Sequence, residues 1–279
     1  MLVAWTAEHM SASAQGIIDW RIDFMKHHPG HKIIFVANTY PEYENLKYLG
    51  AEVIFCNQNM FLDRSLFKPL DESISLKYDA VYNAQFLSFK RHQLAAGVDN
   101  LVLIGYNASN ENVDVVKSML PNATYANFEN DGSFRWLNQV KVNEIYNESN
   151  VGLCLSAKEG AMHASMEYLL AGLPIVTTHS VGGRNYFFDG RFVHWVNDDP
   201  AAVMKAVNAF VNANIEREFI RSEVLRKIDF ELVKFFEKLF SLTNDLELVN
   251  EVQSNWSSIF NDKLIIPKSF DELKEQLDI

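Results

Sequence analysis

"SAKEGAMHASMEYLLAGLPIVTT", residues 156–178, reads as a strand end, a turn, a helix and a second strand. Ser156 closes an apolar run, Gly160 permits a tight turn, and a helical stretch follows until Gly172 and Pro174 stop it. A helix that starts at the carboxyl end of a parallel strand turns free backbone N–H groups and a positive dipole end toward the cleft. An anion such as a diphosphate is welcome there. Glu159 lies at the edge of that seat, and Glu167 follows eight positions later. Helical geometry puts the two roughly 12 Å apart along the axis and about 80° around it. One carboxylate can then accept hydroxyls from a sugar and the other from a ribose, with phosphates between them. The competing reading makes residues 156–159 a capping box and Glu167 a solvated helix residue.

Outward from this stretch, short apolar runs alternate with segments of helical period, the pattern of an α/β chain with parallel strands. Strands are expected at 2–5, 32–37, 52–56, 80–83, 101–105, 123–128, 151–156, 174–177 and 192–196. Helical stretches fill the gaps, for example "GIIDWRIDFMKHH", "ENVDVVKSML" and "PAAVMKAVNAFVNA". After Asn214 the pattern changes to long, charged, aromatic helix. The polar, non-periodic "KPLDESISLKYD" marks a break. Residues 1–78 are therefore read as a small first lobe, 79–214 as a larger second lobe and 215–279 as a C-terminal helical segment.

Composition narrows the function. The 279 residues are 48% hydrophobic, enough for a sizeable core. The 25 basic and 36 acidic residues leave a net charge of −11, which argues against a phosphate track for nucleic acid. Cys56 and Cys154 sit in buried-strand runs and are read as reduced core thiols rather than a disulfide. No basic, apolar leader and no run of about 20 apolar residues is visible, so the expectation is a cytoplasmic protein. There is no Asp-x-Asp triplet, no G-x-G-x-x-G and no P-loop, and neither a catalytic metal nor a bound cofactor is expected.

The segment from Val142 to Val196 resembles the nucleotide-binding half of GT-B glycosyltransferases, in particular the retaining glycosyltransferase family 4. The matching elements, in order, are Tyr146, Ser149, Asn150, Val151, Ser156, Glu159, Gly160, Glu167, Gly172, Pro174, Gly182 and Gly183. The resemblance covers residues 79–210 and is faint before that. It implies a GT-B-like fold of two Rossmann-type lobes with parallel sheets, the first lobe reduced, followed by C-terminal helices. It also implies transfer of a sugar, with retention, from a nucleotide-diphosphate sugar to a hydroxyl acceptor. The nucleotide sugar is then a substrate rather than a cofactor.

By that resemblance Glu159 and the amides of Gly160, Ala161, Met162 and His163 face the donor sugar, and Glu167 the ribose. The family follows Glu-Gly with an aromatic and a glycine and has an aliphatic residue at the third place. Here Ala161, Met162 and His163 stand instead, which leaves the donor sugar open. In "DAVYNAQFLSFKRHQLA" the family's diphosphate lysine falls on Lys90 and its arginine on the uncharged Gln85, so Arg91 is the candidate second cation. The alternative for this pair is an amphipathic helix start with exposed cations. Tyr106, Asn107 and Phe128 follow strands of the second lobe, near where the family binds the base. His9 and Ser11, on a loop after the first strand, and Asn57, Gln58 and Asn59 are candidates for the acceptor side. The three histidines of "HHPGH" (His27, His28, His31) are read as a solvated turn rather than a metal site.

Besides a nucleotide-sugar epimerase or phosphorylase on the same fold, which needs no hydroxyl acceptor or needs a phosphate, two functions of different class remain open on the sequence. One is a glycosyltransferase acting on a glycan, lipid or small-molecule hydroxyl. The other is a non-catalytic nucleotide-sugar-binding or partner subunit, in a homo-oligomer or a larger complex, that keeps the donor lobe without a competent acceptor site.

Overall fold

A computed structural model describes residues 2–4, 7–70, 74–106, 109–129, 131–213 and 215–260. Two parallel sheets are formed. The first has three strands, β1 (Leu2–Ala4), β2 (Ile34–Ala37) and β3 (Val53–Phe55), in sequential order. They are joined by α1 (Ala7–His27) and α2 (Tyr40–Tyr48). Helix α2 begins where its sequence dictates: Thr39 accepts from the Glu42 N–H at 3.3 Å, the Glu42 carboxylate receives the Thr39 N–H in return, and Pro41 fixes the first turn.

The second sheet has six strands in the order β6-β5-β4-β7-β8-β9, all parallel. They are β4 (Tyr78–Asn83), β5 (Leu101–Ile104), β6 (Thr124–Tyr125), β7 (Ser149–Cys154), β8 (Ile175–Thr178) and β9 (Val193–Val196). The connecting helices are α3 (Asn110–Met119), α4 (Gln139–Asn147), α5 (His163–Leu170) and α6 (Pro200–Val211). Strands β5 and β8 are buried along their whole length, as expected of parallel strands covered on both faces. Gly152 in β7 is fixed by packing, since a Cβ there would meet the Tyr168 ring at 2.4 Å.

The nine expected strands all form, most with trimmed ends, while β4 and β7 begin two residues earlier than expected and β8 ends one later. Strand β6 shrinks to two residues because Asn127 turns its side chain back onto the Gly105 N–H at 2.8 Å and curls the chain away from the sheet. Helix α1 starts at Ala7, so His9 and Ser11 fall on its first turns rather than on a loop.

The C-terminal part is helical: α7 (Arg217–Thr243), α8 (Leu246–Ser254) and α9 (Trp256–Phe260). Helix α7 crosses both sheets. Arg221 donates to Phe67 O and Leu170 O, both at 2.6 Å, and to Arg64 O at 2.7 Å. Phe235 packs edge-on against Phe61. The first sheet has two faces of different character. Phe35, Ala37 and Val53 join Ile18 and Leu46 in a small core, while Ile34, Val36, Ile54 and Cys56 belong to the large core that continues through the second sheet. Among the described residues no helix is long and apolar enough to cross a membrane.

Candidate functional site

The six-stranded order places a crevice before any side chain is considered. From β4 the chain leaves toward β5, and from β7 it leaves toward β8, on the opposite side. The loops after these adjacent strands diverge, and their carboxyl ends frame the switch point where open parallel sheets bind ligands. The loop after β4 carries Lys90 and the loop after β7 carries Glu159, and the two side chains meet there as an ion pair. Lys90 is only 6% exposed and the Glu159 side chain 10%.

Both loops are fixed by backbone bonds. The Tyr82 hydroxyl donates to Lys90 O, and the Ala157 N–H to Phe89 O at 3.2 Å. Residues 157–159 stay extended by pairing with the loop after β8: Val181 N–H donates to Ala157 O at 3.0 Å and Glu159 N–H to Val181 O at 2.9 Å. Helix α5 therefore starts at His163, three residues later than its sequence predicts. Met162 turns into it in the left-handed region, with φ 53°. The capping box is absent, because Ser156 sits beneath the loop near the Tyr82 hydroxyl instead of at a helix end. Glu159 and Glu167 consequently do not share a helix.

Glu167 is buried on α5, where it accepts the Tyr146 hydroxyl at 2.6 Å. Burial pushes its carboxyl up to about 7, against the lowering effect of that hydrogen bond. Asn83, the last residue of β4, donates its side-chain amide to the same Tyr146 oxygen at 2.6 Å and its backbone N–H to the Tyr168 hydroxyl at 2.6 Å. Tyr106, after β5, lies within electrostatic reach of both glutamates. Burial first, then the charges of Glu167 and Glu159, push its hydroxyl up to about 12. Glu159, on the loop after β7, and Glu167, on α5, thus both act electrostatically on Tyr106.

Other expected residues fall differently. Arg91 has φ 55°, and its guanidinium is taken up by Leu155 O, Thr178 Oγ1 and Asp198 Oδ2, each at 2.6 Å. It ties the loop after β4 to the ends of β7 and β8. Gln85 is half-buried beside that loop. Phe128 is stacked on Phe86, with Lys117 over its ring at 4.5 Å and Phe134 edge-on at 5.6 Å. Asn107 lies outside the described residues. Ala161 and Gly160 are buried at the turn, and His163 is half-buried at the start of α5. His28 and His31 gather around Phe24, forming an aromatic corner.

The first lobe reaches this site through asparagines. After β3, Asn57 donates to Gly183 O at 2.7 Å and Asn59 to Ala161 O at 2.6 Å, both side chains being buried. Two groups have no counterpart in the sequence reading. Arg184, 1% exposed, donates to Ser156 O and Thr177 Oγ1 at 2.9 Å each and holds a positive charge beneath Glu159. Glu42, buried against the Asn38 N–H at 2.6 Å, has its carboxyl pushed up to about 7 by burial. A lone arginine directly after Gly182-Gly183 was the visible signal for the first; a glutamate in a capping box gave none for the second.

No family model matches this sequence, and no curated protein does. Solved structures do match it. Sucrose-phosphate synthase from Thermosynechococcus elongatus superposes with TM-score 0.55 at 15% identity, over 75% of this chain and 59% of that one. Anabaena HepE in complex with UDP and glucose gives 0.55 at 13%, over 75% and 62%. AviGT4, a glycosyltransferase involved in avilamycin A biosynthesis, gives 0.53 at 11%, over 76% and 64%. The fold is GT-B. This chain spans about three-fifths of the length of these structures.

Proposed function

We propose that the protein is a glycosyltransferase that takes a nucleotide-diphosphate sugar and passes the sugar to a hydroxyl acceptor, with retention at the anomeric carbon as in family 4. The observation that carries this reading is the meeting of Lys90 and Glu159 at the switch point of the six-stranded sheet, with Glu167 and Tyr106 in the same crevice. The fold neighbour HepE, solved with UDP-glucose and with UDP and glucose, gives a precedent for such a ligand on this fold.

In this reading Lys90 neutralises the departing diphosphate, and one such preorganised contact supplies about 3 kcal/mol of transition-state stabilisation. The leaving phosphate oxygen takes the acceptor proton. Glu159 accepts hydroxyls of the sugar, and Glu167, ionised on binding, accepts those of the ribose. The first-turn amides of α5, which have no acceptor inside the helix, face the phosphates. Arg91 and Arg184 hold the loops and raise the local positive potential. The protein works in the cytoplasm without a metal.

The test is twofold. UDP or GDP should raise the melting temperature without added metal, and a panel of nucleotide sugars should release nucleotide faster when a hydroxyl acceptor is present. Absence of binding by every nucleotide and every nucleotide sugar removes the reading.

A second reading, a nucleotide-sugar-binding partner subunit, is favoured by the cross-lobe bonds of Asn57 and Asn59, which seat the first lobe directly on the Ala161 and Gly183 turns. Nucleotide binding without any release of nucleotide from any donor would select it.

A further inference from the structure

The Lys90–Glu159 pair poses a problem for any ligand of this crevice. Both members are nearly buried, and each is the other's ion-pair partner. Removing one partner of a buried pair leaves the other as an uncompensated charge in a poorly solvated place. A diphosphate carries only acceptors, so it can replace Glu159 as the partner of Lys90 but cannot satisfy Glu159. It adds negative charge beside a carboxylate that has just lost its cation. A sugar carries hydroxyl donors, so it can satisfy Glu159 but leaves Lys90 without an anion. Only a ligand with both ends replaces both halves of the pair at once.

We propose that the Lys90–Glu159 pair is a specificity device that reads the intact nucleotide sugar and disfavours the free nucleoside diphosphate. It rests on the donor-site reading above and adds to it a thermodynamic coupling between the phosphate and sugar subsites. The surroundings make the exchange feasible without rebuilding the loops. Tyr106 stands within electrostatic reach of Glu159 but carries no positive charge, and Arg184 has every guanidinium nitrogen already engaged, so neither takes the place of Lys90. Lys90 is backed by the Phe89 ring at 4.9 Å and held by its own carbonyl on Tyr82, so its ammonium needs only a rotamer change to turn to a phosphate. After transfer the departed sugar leaves Glu159 unsatisfied, Lys90 returns to it, and the nucleotide is expelled. The pair thus favours product release as well as donor entry.

Titration calorimetry on the full chain tests this with UDP and GDP, with glucose, mannose, galactose and N-acetylglucosamine, and with the nucleotide conjugates of these sugars. In the wild type the best conjugate should bind at least about tenfold tighter than its free nucleotide, the worth of one hydrogen-bonded charge. Saturating free sugar of the same kind should tighten nucleotide binding in the same direction. In Glu159→Gln, free nucleotide should bind about tenfold tighter than in the wild type and the sugar effect should vanish. If Glu159→Gln does not fold, the coupling between nucleotide and free sugar in the wild type decides alone. Nucleotide that binds wild type as tightly as every conjugate, with no sugar coupling, overturns the inference and leaves the nucleotide site standing. So does a Glu159→Gln protein whose nucleotide affinity is unchanged or weaker. No binding of any nucleotide or conjugate to the wild type removes the donor-site reading and this inference with it.

Discussion

The Tyr146 hydroxyl donates to the Glu167 carboxylate at 2.6 Å in the buried wall of the crevice. That one bond does not offset the cost of burying the carboxylate, and Glu167 rises from 4.5 to about 7. Glu42 rises to about 7 for the same reason.

Stability should therefore fall as pH rises through the window from 4.5 to 7, less steeply below about 6.5, where His92, pushed down to about 4 by burial, contributes one opposing slope against two. Across it the folded chain holds protons on both carboxyls that the unfolded chain has released. Each group contributes a slope of at most roughly 1.4 kcal/mol per pH unit. Urea denaturation at pH 5 and pH 8 should show the protein more stable at pH 5. Glu42→Gln and Glu167→Gln should each flatten the profile and raise stability at pH 8. A wild-type profile flat over this window contradicts the burial argument.

Lys90→Ala should lower turnover by about 100-fold, the loss of one preorganised charge from the transition state. Gln85→Arg should raise turnover, because Arg91 is fully engaged with Leu155, Thr178 and Asp198 and leaves the site one cation short. Steady-state kinetics with the best donor decides. Full activity in Lys90→Ala removes the phosphate-site assignment.

Arg91→Ala should act on stability before it acts on chemistry. It removes the guanidinium's bonds to Leu155 O, Thr178 Oγ1 and Asp198 and keeps a left-handed backbone, while Thr178 Oγ1 still donates to Leu155 O at 3.1 Å, so the loss is on the order of 1–2 kcal/mol. The melting temperature should drop clearly, while turnover per folded molecule falls much less than for Lys90→Ala. Equal kinetic damage from the two variants would show that Arg91 leaves its partners to meet the substrate.

Asn57→Ala and Asn59→Ala should each cost about 1–2 kcal/mol, the first through its lost bonds to Gly183 O and the Asn59 N–H, the second through the stranded Ala161 carbonyl. Because both bonds close the same seam, the double variant should deviate from additivity by more than the usual ~0.5 kcal/mol. Strict additivity in denaturant titrations would mean that the two contacts open independently.

The sequence revealed the strands because each is a short apolar run bounded by turn residues, and parallel burial on both faces writes itself as such a run. Lys90, Glu159 and Glu167 were singled out by the family resemblance, and they fall on the loop after β4, on the loop after β7 and on α5. The start of α5 was not. A helical period from Gly160 onward is overridden by the backbone pairing of residues 157–159 with Val181, a contact between segments more than twenty residues apart. The engagement of Arg91 and Arg184 was equally hidden, since an arginine buried on carbonyls and one aimed at a phosphate look alike in one dimension. Gly182 shows the same limit: its φ of +114° and the 1.6 Å between a built Cβ and Glu159 O are facts of the folded loop alone.

Helix α7 fastens carbonyls at Arg64 and Phe67, just ahead of the second sheet, together with that of Leu170 at the end of α5, and one face of the first sheet lies in the core of the second. A chimera that joined the first sheet of this chain to the second sheet of a structural neighbour would inherit α7 from one parent only. The half that lost its own α7 would meet a foreign helix across an apolar seam and a set of arginine contacts tuned to other carbonyls. Under the proposed function, acceptor preference is therefore better exchanged locally, at the turn after β3, than by trading whole lobes.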